Sequence, residues 1–124
     1  RGNTINNHSH KKMDTQTLLD FITQTADDLK ALDPVLYDME GKSSLSDFVF
    51  ICHGTSTAHT RGIADKIGLI LKKESELPLG IEGLEEGRWI LIDYNTVIVH
   101  IFLKDVREQY SLEEIYATSP NKEL

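Results

Sequence analysis

Trp89-Ile90-Leu91-Ile92-Asp93-Tyr94, then Asn95-Thr96, then Val97-Ile98-Val99-His100-Ile101-Phe102-Leu103: this run decides the fold. Two segments rich in β-branched and aromatic residues, separated by two turn-forming residues, predict a β-hairpin with a tight loop. With Asn95 and Thr96 as the loop, Tyr94 pairs with Val97, Ile92 with Val99 and Ile90 with Ile101. Side chains alternate along a strand, so these pairs and Leu103 share one face. That face is nearly all apolar and is the expected core face. The opposite one carries Trp89, Leu91, Asp93, Ile98, His100, Phe102 and Lys104. Trp89 falls opposite Phe102, Leu91 opposite His100, and Asp93 diagonal to His100. A large aromatic pair among aliphatics and a few polar groups suits a partner surface. A helix of the same chain, or a second copy, would cover it equally well.

Upstream of the hairpin the periodicity changes from two to 3.6. Asp14 or Thr15 can cap a helix whose stripe is Leu18, Ile22, Ala26 and Leu29, with Asp33-Pro34 expected to stop it. Residues 35–39 read as a strand ended by Gly41, and residues 43–47 as a turn. Residues 48–53, Phe-Val-Phe-Ile-Cys-His, form a near-continuous apolar strand of the kind buried on both faces. Gly54-Thr55-Ser56 then opens a helix capped by Ser56, with core positions Ile63, Ile67, Ile70 and Leu71 and with Arg61, Asp65, Lys66 and Lys72 in water. Gly62 and Gly68 each cost this helix about 1 kcal/mol, and close packing on the sheet is the expected compensation. A short strand follows within residues 78–83. After the hairpin, Asp105 is expected to cap a last helix over 106–116. The order α-β-β-α-β-β-β-α predicts an α/β domain, a mixed sheet of about five strands with helices packed on it.

The chain of 124 residues is one domain in length, with 40% hydrophobic and 27% charged residues, as in soluble globular proteins. Residues 1–12 are polar and aperiodic. They are expected to be a disordered arm or an expression remnant before a natural start at Met13, with the domain over 13–117 and a frayed tail over 118–124. No apolar run reaches the roughly 20 residues of a membrane span and no secretory stretch is visible, so a cytoplasmic location is expected. Lys and Arg number 13 against 20 Asp and Glu, a net charge of −7. Without residues 1–12 the count is 10 against 20, or −10. Affinity for nucleic acid comes largely from basic side chains at phosphates. So acidic a body is a poor candidate for gripping RNA and a good one for a basic protein, which its field attracts.

Residues capable of chemistry are present without the companions that chemistry needs. Cys52 has no CxxC partner and sits in an apolar run, where a buried, inert thiol is expected. His53 and His59 flank the second helix, but zinc needs three or four converging ligands, and Cys52 and His53 point to opposite faces of their strand. His8 and His10 lie in the polar arm, which offers no preorganised site. His100 beside Asp93 reads as structural, because acyl transfer needs a Ser or Cys within reach. Gly54-Thr55-Ser56 has the position of an anion-binding turn but neither the spacing nor the lysine of a P-loop. Nucleotidyltransferases place a glycine-serine turn there too, followed by paired carboxylates for magnesium. Here Glu74 and Glu76 read as a solvated helix end, and the strands supply only Glu82 and Asp93 singly. Neither a catalytic residue nor a metal or cofactor is assigned, and a divergent nucleotidyltransferase is the alternative. Glu82, Glu85 and Glu86, with Arg88, form a charged loop that can rim the Trp89 face for a basic partner.

Seven segments in order resemble the ribosomal silencing factor, or Iojap-like, family. They are residues 41–47 (Gly-Lys-Ser-Ser-Leu-Ser-Asp), 51–56 (Ile-Cys-His-Gly-Thr-Ser), 63–67 (Ile-Ala-Asp-Lys-Ile) and 78–83 (Pro-Leu-Gly-Ile-Glu-Gly). Residues 87–94 (Gly-Arg-Trp-Ile-Leu-Ile-Asp-Tyr), 97–102 (Val-Ile-Val-His-Ile-Phe) and 107–113 (Arg-Glu-Gln-Tyr-Ser-Leu-Glu) complete the series. The resemblance implies a nucleotidyltransferase-like fold without catalytic acids, in agreement with the missing carboxylates. It also implies a translational repressor that binds the large ribosomal subunit through its fourteenth ribosomal protein, obstructs joining of the small subunit, and forms a homodimer off the ribosome. Organelle relatives act in large-subunit biogenesis. Carried over, the partner-binding residues are Trp89, Leu91, Asp93 and His100; Phe102 joins them from the face argument above. Asn95-Thr96 stands where relatives often carry Gly-Asp.

Overall fold

The computed structural model describes residues 13–41 and 46–114. The expected arm, residues 43–45 of the expected turn, the end of the last helix and the tail lie outside the described residues.

Helix α1 (Thr15–Asp28) starts on Asp14, whose carboxylate accepts the Thr17 N–H at 2.8 Å. Its apolar face buries Leu18, Leu19, Ile22 and Ala26. The helix stops earlier than the Asp33-Pro34 pair suggested. Lys30 adopts φ 62°, its N–H bonds to the Asp27 carbonyl at 3.0 Å, and the Ala31 N–H reaches the Ala26 carbonyl at 2.9 Å. That double bond pattern closes a helix C-terminus without help from proline. Strand β1 (Leu32–Asp38) therefore begins before Pro34, which is tolerated because β1 is an edge strand with an irregularity between Leu32 and Val35.

The remaining elements are β2 (Phe48–Gly54), α2 (Thr57–Lys73), β3 (Gly80–Glu82), β4 (Trp89–Asp93), β5 (Val97–Leu103) and α3 (Lys104–Tyr110). The five strands form one sheet in the order β1-β2-β5-β4-β3, parallel between β2 and β5 and antiparallel elsewhere. This is the expected mixed sheet. The hairpin register is also as read: Trp89 faces Phe102, Ile90 faces Ile101, Leu91 faces His100 and Ile92 faces Val99. The Tyr94 N–H bonds to the Val97 carbonyl at 2.9 Å. Asn95, at φ 76°, sits in a γ-turn closed by Thr96 N–H on the Tyr94 carbonyl at 2.9 Å.

The sheet has a core on each side. On one, α1 and α2 cover Phe50, Cys52, Ile90, Ile92, Val99 and Ile101, with Ile63, Ile67 and Leu71 supplied by α2. Ile70 is only partly buried, turned toward the groove beside Phe21 of α1. On the other, Val49, Ile51, Phe102 and Val106 of α3 form a smaller cluster with Met39. Leu103, expected on the first face, is partly buried against the second cluster, because the strand ends there and the chain turns into α3. Three further expectations are corrected. Side chains added at Gly62 or Gly68 would meet nothing within 4 Å, so close packing does not account for these glycines. The third helix begins at Lys104, one residue before its expected cap Asp105, and has no side-chain cap bond. It pauses at Ser111, φ 49°, ahead of a helical turn over 112–114.

Candidate functional site: an aromatic strip beside a buried arginine cluster

The outward face of the hairpin divides into an accessible strip and a sealed interior. Trp89, Leu91 and Asp93, alternate residues of β4, are each half-buried, as is Ile98 opposite Asp93. His100 and Phe102 on β5 are buried, Phe102 completely. Both were expected on the outward face, and neither side chain reaches solvent in this chain. Helix α3 lies over β5, and Phe102 packs with Val106 beneath it. Both residues support the strip from behind.

The support is specific. The Trp89 indole packs at a tilt, its centre 5.1 Å from that of the Phe102 ring and 4.9 Å from that of Tyr110 of α3, and its Nε1–H donates to Nδ1 of His100 at 3.0 Å. Accepting at Nδ1 requires a neutral imidazole with its proton on Nε2. Burial favours the same form, pushing His100 down to about 4. Asp93, expected to hold His100, has its Oδ1 engaged by the Asn95 N–H at 2.8 Å, which braces the hairpin turn. Exposed Glu82, Glu85, Glu86 and Arg88 border the strip. Arg61 donates to the Glu85 carbonyl at 2.8 Å and ties that loop to α2.

Two polar clusters occupy the other conspicuous positions. At the start of α2, Ser56 accepts the His59 N–H at 3.1 Å. The His59 ring accepts the Thr55 N–H on Nδ1 at 3.0 Å and bonds through Nε2 to the Leu29 carbonyl at 2.8 Å. Two N–H donors at this turn, those of Thr55 and His59, are engaged within the chain, and His59 joins the end of α1 to the start of α2. At the carboxyl ends of β2 and β5, buried Arg107 pairs with Glu113 at 2.7 Å, donates to Nδ1 of His53 at 2.8 Å and reaches the Leu32 carbonyl at 3.4 Å. Burial first, then the Arg107 charge, lowers the His53 pKa. This cluster borders an open cavity of about 360 Å³. Sequence reasoning missed it, since arginine 107 and histidine 53 are 54 positions apart; only the run 107–113 drew notice, through the resemblance. Cys52 is buried and its thiol is pushed up to about 12, chiefly by burial. Among the described residues no group of three or more His, Cys, Asp or Glu side chains is arranged to hold a metal. No helix among them is long and apolar enough to cross a membrane.

This fold has known counterparts. The family model described as ribosomal silencing factor during starvation matches residues 12–124. The chain belongs to the ribosomal silencing factor family. A ribosomal silencing factor of Haemophilus influenzae is 40% identical over 100 residues, covering 81% of this chain and 98% of the relative. One from Halalkalibacterium halodurans is 38% identical over 112 residues, covering 90% and 96%. A crystal structure of a protein from Chromobacterium violaceum superposes with a TM-score of 0.82 at 28% identity, covering 85% of this chain and 88% of the other. Since the family is named for silencing ribosomes, membership ties the chain to regulation of translation at the ribosome.

Proposed function

We propose that this chain represses translation by binding the large ribosomal subunit through its fourteenth ribosomal protein and thereby obstructing joining of the small subunit. The observation that carries the reading is the half-exposed strip of Trp89, Leu91 and Asp93, backed by buried His100 and Phe102 and bordered by exposed carboxylates. An aromatic anchor on a rigid strand, within an acidic rim, is the chemistry that holds a basic protein surface. The net charge of −7 favours encounter with such a partner and disfavours a direct grip on RNA. In this reading the protein works in the cytoplasm as a binding protein, without cofactor, and forms a homodimer when off the ribosome. A nucleotidyltransferase function gains no support from the turn after β2, where the His59 ring takes the Thr55 N–H and Ser56 takes the His59 N–H.

Co-sedimentation with purified large subunits tests it. The parent pellets with them, while Trp89→Ala and Asp93→Lys remain in the supernatant though folded. A parent that never pellets with large subunits would overturn the proposal; retention by both variants would move the contact off this strip.

A further inference from the structure

Helix α3 spans the sheet from the arginine cluster to the tryptophan. Arg107 and Tyr110, one helical turn apart, engage opposite sides of β5: Arg107 bonds to His53 of β2, and the Tyr110 ring packs at a tilt on Trp89 of β4. A helix of seven residues is too short to hold itself, and this one has no side-chain N-cap. Its placement therefore depends on its anchors, which are Val106 in the second core and the ion pair of Arg107 with Glu113. Tyr110 is 49% exposed, so its ring is available beside the indole while resting on it.

Resting on the docking role proposed above, we infer that Tyr110 is a second aromatic wall of the docking surface, and that Arg107 is a positioning residue which, through Glu113 and His53, sets Tyr110 against Trp89. The two tilted aromatic faces of Trp89 and Tyr110 form a seat for a lysine or arginine side chain of the basic partner. The Arg107 cluster fixes the geometry of this seat from the other side of β5, on the same face of the sheet.

The sole tryptophan of the chain is Trp89, so intrinsic emission reports this seat alone. Emission and co-sedimentation with large subunits are measured on the full chain for the parent, Tyr110→Phe, Tyr110→Ala, Glu113→Gln and the double variant Tyr110→Ala/Glu113→Gln. Tyr110→Phe keeps the ring and retains parental binding. Tyr110→Ala shifts the emission to longer wavelength and weakens binding about tenfold. Glu113→Gln shifts emission in the same direction and weakens binding severalfold, yet adds nothing to emission or binding in the Tyr110→Ala background. A folded Glu113→Gln with parental emission and affinity overturns the positioning role, as does a full additional effect in the double variant. Parental binding by Tyr110→Ala overturns the contact role. If Glu113→Gln does not fold, Glu113→Asp takes its place, with a smaller shift of the same sign expected and no shift overturning the role. Failure of the docking reading itself is separate: the parent then does not pellet, while the emission measurements still decide whether Glu113 acts on Trp89 through Tyr110.

Discussion

Trp89 and Phe102 stand directly opposite each other across the β4–β5 ladder, ring centres 5.1 Å apart, and only Trp89 reaches solvent. Their substitutions separate accordingly. Phe102→Ala removes a fully buried ring from the small second core and is expected to cost about 3–5 kcal/mol of folding stability. Leu91→Ala, on the half-exposed strip, is expected to cost about 1 kcal/mol while weakening large-subunit binding. Denaturant titration alongside co-sedimentation distinguishes the two losses.

Stability falls on acidification through the histidine behind Trp89. The His100 pKa is lowered by burial from 6.5 to about 4, so the unfolded chain binds a proton before the folded one does. The contribution is whole above pH 6.5, declines as the pH drops toward about 4, and amounts to roughly 3 kcal/mol. His53, shifted in the same direction by burial and Arg107, adds to the decline. Urea unfolding at stepped pH is expected to show His100→Asn less stable than the parent at neutral pH but with a shallower loss in this window. An equally steep loss in the variant would remove His100 from the account.

Two glycine replacements are expected to act with opposite sign. Gly83 has φ 80°, and a side chain there would drive its first carbon into the Trp89 carbonyl oxygen, so Gly83→Ala is expected to cost on the order of 3 kcal/mol and to disturb the strip. Gly62, inside α2 with open space around it, gains helix propensity, and Gly62→Ala is expected to add about 0.5–1 kcal/mol. Thermal unfolding of both variants reads the signs directly.

The Cys52 thiol is buried and held neutral, so a thiol reagent is expected to modify it only as the chain opens. The modification rate should rise manyfold in denaturant and follow global unfolding in the native buffer. Fast stoichiometric labelling of the folded protein would show that the strand is accessible after all.

What the sequence determined by itself was everything that a local period carries. Alternation along 89–103 set the hairpin register pair by pair, and the 3.6 spacing of Leu18, Ile22 and Ala26 and of Ile63, Ile67 and Leu71 set which faces of α1 and α2 are buried. The seven ordered motifs pointed to the family to which the chain belongs. Periodicity tells which side chains share a face; it does not tell what else packs on that face. Tertiary structure alone decided that Phe102 is sealed with Val106 of α3 and His100 is buried beside the indole, while Trp89 stays accessible. It alone brought Arg107 to His53 and His59 to Leu29, contacts between distant positions that leave no local pattern. Helix ends divided along the same line: the Asp14 and Ser56 caps are written in neighbouring residues, whereas α1 closed on backbone bonds around Lys30, where no glycine or proline announces the turn.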